Sequence, residues 1–142
     1  MRADYQGTNF ERSLSAWYTS LTWLMSGERY ADSYKNGGFG RIKPKQNFVL
    51  LTEGTGAFEL GVRYSQFDAS GFTIANTAGT GQLKAGLTNE ANAWTLGGKW
   101  ILNPNARLML NYVRTSFHTP VTLNGKTDGH EDALTMRAQL DF

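Results

Sequence analysis

The sequence predicts an all-β chain with the patterning of an antiparallel transmembrane β-barrel, and three observations carry that prediction. Apolar and polar residues alternate with period two over several stretches of strand length. The connections between these stretches are unequal, one a minimal turn and others long, polar and rich in Gly, Thr and Asn. No window approaches the roughly 20 consecutive apolar residues of a membrane-spanning helix. Mean hydropathy is negative, as in strands that carry their apolar residues at alternate positions.

Six strands follow, near residues 1-7, 13-26, 57-68, 91-102, 105-117 and 132-142. In the first, Met1, Ala3 and Tyr5 alternate with Arg2, Asp4 and Gln6, as in a strand cut off at its beginning. In the second, Trp17, Leu21, Trp23 and Met25 share one face, although Leu14, Tyr18 and Leu24 interrupt the polar one. The third sets Phe58, Leu60, Val62 and Tyr64 against Glu59, Gly61, Arg63 and Ser65. The fourth sets Trp94, Leu96, Gly98, Trp100 and Leu102 against Thr95, Gly97 and Lys99, with Ile101 out of pattern on the polar side. Asn103-Pro104-Asn105 is a tight turn in which Pro fixes the backbone. The fifth strand places Ala106, Leu108, Leu110 and Tyr112 opposite Arg107, Asn111 and Thr115, although Met109 and Val113 blur the polar side, and the sixth places Leu134, Met136, Ala138, Leu140 and Phe142 opposite Thr135, Arg137, Gln139 and Asp141.

Transmembrane barrels have short turns on the periplasmic side and longer loops outside. The turn at 103-105 therefore puts 69-90, 118-131 and the brief 8-12 outside, and 27-56 on the periplasmic side, where a connection of that length is unexpected. Asn47-Leu51 has the makings of a short strand within it.

Composition narrows the function. The 142 residues fit one small domain or a piece of a larger one, and 40% apolar, 13% aromatic and 18% charged residues do not describe a disordered chain. A net charge of +2 without a basic run gives no footprint for nucleic acid. The absence of cysteine excludes disulfides, thiolate metal sites and cysteine nucleophiles, and it suits an oxidising compartment. The N-terminus lacks the hydrophobic core of a secretion signal, so an exported chain would be mature or truncated at its start. No catalytic triad, phosphate-binding glycine loop or paired-carboxylate arrangement stands out, so no enzyme and no cofactor are expected. His118 and His130 fall in one predicted loop, and two ligands do not make a metal site.

An ordered series of stretches resembles the C-terminal part of the phosphate-selective porin O/P family of Gram-negative outer membranes. It begins with Gly27-Glu28-Arg29-Tyr30 and Gly38-Phe39-Gly40-Arg41-Ile42-Lys43-Pro44-Lys45. Gly56-Ala57-Phe58-Glu59-Leu60, Arg63-Tyr64-Ser65 and Asn92-Ala93-Trp94-Thr95-Leu96-Gly97 follow. Trp100 through Tyr112 and the terminal Arg137-Ala138-Gln139-Leu140-Asp141-Phe142 complete it. The resemblance implies a sixteen-stranded barrel, usually trimeric, of which this chain is about the last six strands and thus an incomplete domain. It implies residence in the bacterial outer membrane, contact with its lipid, and passage of phosphate or other small anions. It also implies that a periplasmic segment before the last four strands folds into the lumen, which would account for 27-56. A terminal Phe on an alternating last strand resembles the signal read by the outer-membrane assembly machinery. The family's main phosphate-contacting residues lie in the N-terminal half and have no counterpart here.

On the polar register Arg2, Arg63, Lys99, Arg107 and Arg137 oppose Asp4, Glu59 and Asp141, an excess that would favour anions in a pore. The competing reading is that Glu59-Arg63 and Arg137-Asp141 neutralise one another on a solvated wall. In 27-56, Arg29, Lys35, Arg41, Lys43 and Lys45 face only Glu28, Asp32 and Glu53. If this segment enters the lumen, Arg41, Lys43 and Lys45 contact the permeant anion together with Arg63, Lys99, Arg107 and Arg137; in the periplasm they are a solvated turn. Trp17, Trp23, Trp94, Trp100, Tyr64, Tyr112 and Phe142 suit an interfacial aromatic girdle. The same stripe would be the core of a soluble barrel, so a self-contained small β-barrel that binds a ligand or anchors in the membrane is the second expectation.

Overall fold

The computed structural model describes residues 2–5, 8–51, 53–75 and 82–142, with side chains from Arg12 onward. The strands in chain order are β1 Arg2–Tyr5, β2 Thr8–Glu11, β3 Ser15–Leu24, β4 Tyr34–Lys35, β5 Gly38–Phe39, β6 Ala57–Asp68, β7 Thr73–Ala75, β8 Gln82–Lys84, β9 Glu90–Asn103, β10 Ala106–Leu123 and β11 Lys126–Leu140. A single 3-10 turn, Tyr30–Ser33, is the only helical piece among the described residues. The five long strands form one sheet in the order β11-β10-β9-β6-β3, while β1-β2, β4-β5 and β7-β8 are separate two-stranded sheets. Each long strand thus lies beside the long strands next to it in sequence, the meander that hairpin connections produce.

The period-two alternation sets the two faces of this sheet. Trp17, Leu21, Trp23, Trp94, Leu96, Leu110, Leu134, Met136 and Leu140 all lie exposed on the apolar register, Met136 by 81%. Among the described residues the buried apolar ones are few: Leu24, Ala57, Ala69 and Ile101. Exposed apolar residues of this kind mark a surface that meets lipid or another protein.

The chain clusters into two compact units, and each long strand runs through both. The first comprises Met1–Thr19, Arg63–Trp94 and Val113–Ala133. Within it, Tyr64 lies between Trp17 and Trp94, with ring centroids 5.5 and 4.9 Å away, an aromatic row across three strands. Just beyond, Arg114 and Asp132 meet at 3.8 Å between β10 and β11. The second unit comprises Ser20–Val62, Thr95–Tyr112 and Leu134–Phe142. Its small core is Leu24, Ala57 and Ile101, packed against Tyr30 and Ile42.

Strand 57-68 falls where the alternation places it, and 13-26, 91-102 and 105-117 match β3, β9 and the first part of β10. Three expectations require correction. Residues 118-131 are not a loop: β10 and β11 continue to a two-residue turn at Asn124 and Gly125, with φ of 50° and 77°, the left-handed pair a tight hairpin needs. His118 and His130 are therefore strand residues. The stretch 1-7 contributes β1, which pairs with β2 through Arg2↔Glu11 to Tyr5↔Thr8 rather than joining the long sheet, so within 8-12 the residues Thr8–Glu11 are strand and not loop. Asn47-Leu51 forms no strand, although Phe48 N–H donates to Leu102 O at 2.7 Å. The connection 69-90 carries the short parallel pair β7-β8. The side chains of Arg2 and Asp4, expected on the polar register, lie outside the described residues.

Candidate functional site

The site begins with an irregularity in the alternation. Leu24 and Ile101 are apolar residues on the register that carries the polar side chains of β3 and β9, and Ala57 is on that same register of β6. Exposed to water they would be costly, so a covering is expected. Residues 27–56 supply it: Tyr30 and Ile42 pack on these three, and the Tyr30 hydroxyl donates to Thr22 Oγ1 at 2.9 Å on the polar register of β3. The part of the segment that carries Tyr30 and Ile42 is therefore laid on the polar face of the second unit.

Local chemistry shapes the segment. Gly27, at φ 87°, turns the chain out of β3, and Ser26 Oγ donates to Glu28 Oε2 at 2.5 Å. The Lys45 N–H closes the base of the loop by donating to Glu28 Oε1 at 3.1 Å. Burial raises the Glu28 pKa, but the Ser26 hydroxyl, the Lys45 N–H and the lysine charge outweigh it and hold the carboxyl below its ordinary range. β4 and β5 form a hairpin on Asn36 and Gly37, both at positive φ, and Gly40 N–H donates to Ser33 O at 2.8 Å. From there the chain is extended, so successive side chains alternate: Ile42 and Pro44 are half-buried, whereas Arg41, Lys43 and Lys45 are exposed. The segment ends against Trp100, whose ring meets Phe48 edge-on at 4.9 Å and stacks on Phe58 at 5.6 Å while its indole N–H donates to Thr55 O at 2.8 Å. Gly56 follows at φ 73°, where a Cβ would stand 2.5 Å from Ile101 O; no other residue fits there without moving the sheet.

Two charged arrangements result. The first is a depression of about 580 Å³ on the segment itself, lined by Arg29, Lys35, Arg41, Lys43 and Lys45 together with Glu28 and Asp32. Five cations face two carboxylates, so the field of the depression favours anions. The second lies at the 103–105 turn. Lys99 Nζ bonds Glu59 Oε1 at 2.6 Å, and Glu59 is only 8% exposed. Burial raises the Tyr30 pKa, and the neighbouring Glu59 carboxylate raises it further. Beside them Arg41 Nη1 donates to Asn105 Oδ1 at 3.0 Å, and both Arg41 Nε (3.9 Å) and Arg107 Nη2 (3.6 Å) approach Asp141 Oδ2. The Gln139 amide donates to Asp141 Oδ1 at 2.9 Å, and that bond, with Arg41, Arg107 and Arg137 nearby, holds the Asp141 carboxyl below its ordinary range.

Of the residues singled out from sequence, Arg41, Lys43 and Lys45 gather on the depression, and Arg41 and Arg107 converge on Asp141. Lys99 is tied to Glu59, Arg137 is exposed, and Arg63, in the first unit, lies with its guanidinium 4.8 Å over the Tyr18 ring. The pairing Glu59-Arg63 is replaced by Glu59-Lys99, and the close partner of Asp141 on the wall is Arg107 rather than Arg137. The physical reason is spacing: residues four apart on one strand are about 13 Å apart, whereas residues on neighbouring strands are about 5 Å apart. Tyr30 and Ile42 carry no site signal of their own in the sequence, and Leu24 and Ile101, where they dock, are only two of several apolar interruptions of the polar register, beside Leu14, Tyr18, Met109 and Val113.

No curated protein matches the chain. The family model described as phosphate-selective porin O and P matches residues 1–142, its whole length. With an all-β fold, an exposed apolar face and a cationic segment on the polar face, the chain belongs to the phosphate-selective porin O and P family.

Proposed function

We propose that this chain is the C-terminal part of an outer-membrane porin barrel, about its last six strands, and that its polar face lines a water-filled channel preferring small phosphate-like anions. The observation that carries the reading is the seating of Tyr30 and Ile42 on the polar face, with Arg41, Lys43 and Lys45 exposed beside Arg29 and Lys35. Anions diffuse down their gradient past these side chains, which replace part of the anion's hydration at each step. Lys43 and Lys45 act as compact point charges, whereas Arg41, Arg107, Arg63 and Arg137 offer planar forks suited to oxyanions. The apolar register meets bilayer lipid, and the aromatic row Trp17-Tyr64-Trp94 marks an interface. In this reading the complete barrel is a homotrimer, and Phe142 is read by the assembly machinery. The test is the reversal potential of the complete barrel in planar bilayers under a salt gradient. Anion preference, reduced in Lys43→Gln/Lys45→Gln, is the expected result; cation preference overturns the reading.

A further inference from the structure

In the second unit Arg41 and Arg107 share one counter-ion, and Arg41 also donates to Asn105 Oδ1 at 3.0 Å. Both approach one oxygen of Asp141, at 3.9 and 3.6 Å, beyond hydrogen-bond distance. The other Asp141 oxygen is occupied by Gln139. Arg107 Nε is buried and has no hydrogen-bond partner among the described residues, a costly state for a charged group's donor. A cavity of about 160 Å³ adjoins them, lined by Arg41, Lys99 and Arg107 against Glu59 and Asp141, with Asn105 at the turn. At a liquid share of about 30 Å³ per water, that volume accepts a tetrahedral anion that keeps some of its waters. Lys99 is already neutralised by Glu59 at 2.6 Å. The charge left to attract a ligand is therefore that of two guanidiniums and one carboxylate held loosely between them.

We propose that Asp141 is a tethered counter-ion for the Arg41–Arg107 pair, and that a permeating oxyanion binds by displacing it. The tether makes Asp141 a specificity-determining residue. It competes with every anion, and a tetrahedral oxyanion, which can engage both forks with hydrogen bonds where Asp141 makes only long ion pairs, displaces it better than a spherical halide does. This deepens the channel reading and rests on it, because the polar face must border the anion's path.

The experiment measures conductance of the complete barrel against inorganic phosphate and, separately, chloride concentration, in wild type, Asp141→Asn and Arg107→Gln. Removing the competitor lowers the phosphate concentration for half-saturation by about fivefold in Asp141→Asn, the fold-change equivalent to one partly exposed ion pair. Arg107→Gln raises it by a similar factor, and both variants change the chloride value less. An unchanged or raised phosphate half-saturation in Asp141→Asn overturns the proposal, as does an equal shift for chloride. If Asp141→Asn does not give a heat-modifiable barrel, Arg107→Gln decides, and an unchanged phosphate value there overturns it. A barrel without anion preference defeats the channel reading itself, an outcome distinct from an anion-preferring barrel that is indifferent to Asp141.

Discussion

Residues 27–56 and the far end of the β10–β11 hairpin are alike in polarity and opposite in form. The first holds only a 3-10 turn and the small β4-β5 hairpin, yet it is fastened to its sheet by Tyr30, Ile42, Phe48 and Thr55. The second is regular strand to its tip, where a left-handed Asn124-Gly125 turn and the Thr122 and Thr127 hydroxyls, 2.8 Å apart, fix it. Polarity does not decide between the two forms. Apolar side chains spaced to meet a fixed patch give a docked segment, whereas two extended stretches joined by a turn-forming pair give a hairpin.

The difference can be broken most strongly at the apolar patch. Ile42→Asp places a carboxylate against Leu24, Ala57 and Ile101 and removes an anchor worth about 1.5–3 kcal/mol if fully buried, an upper bound for this half-buried residue. The segment detaches: conductance of the complete barrel rises and anion preference falls, while heat-modifiable mobility stays intact because the long strands are untouched. A variant with wild-type conductance and selectivity would show that side-chain docking does not hold the segment.

A smaller effect is expected at the hairpin. Gly125→Ala forces a side chain into φ 77° and destabilises the tip by about 1 kcal/mol. Hydrogen exchange at 118–131 quickens, and conductance does not change. Altered conductance would mean that the tip also shapes the ion path.

The smallest effect is a pH dependence at the base of the segment. The Glu28 carboxyl titrates below its ordinary range because Ser26 and Lys45 favour the ionised form. Its contribution is therefore fully present above the unfolded value and is lost as pH falls through the lower folded one. Glu28→Gln lacks it at every pH, so wild type and variant differ in the thermal stability of the segment at neutral pH and converge in acid. A difference that persists below the folded value contradicts the assignment.

Within the sequence, the long strands were the legible part. Alternation is a local code, so β6 is found at its observed bounds and β9 within a residue or so at each end. The hairpin tip reads as a loop in sequence because Gly, Thr and Asn dominate it and Val121 and Leu123 fall out of phase with the apolar register of Leu108 and Leu110, although Asn124-Gly125 is a turn pair. Ion pairing was not legible, since Glu59 finds Lys99 and Asp141 finds Arg107 only through the register between strands. Residues Arg41, Lys43 and Lys45 were identifiable as a basic group in one segment. Their gathering with Arg29 and Lys35 depends on the β4-β5 hairpin and on Ile42 being drawn down to the sheet.

The small core of Leu24, Ala57 and Ile101 has a consequence for time. Residues 27–56 leave the sheet at Leu24 and return at Ala57, so both ends are clamped in the cluster that the middle of the segment covers. Swinging it away would require fraying two strand ends together, an event of microseconds or longer, whereas free loops move in nanoseconds to microseconds. In a pore lined this way an ion in transit meets a wall that is stationary for the duration of its passage, and the open-state current is quiet rather than flickering.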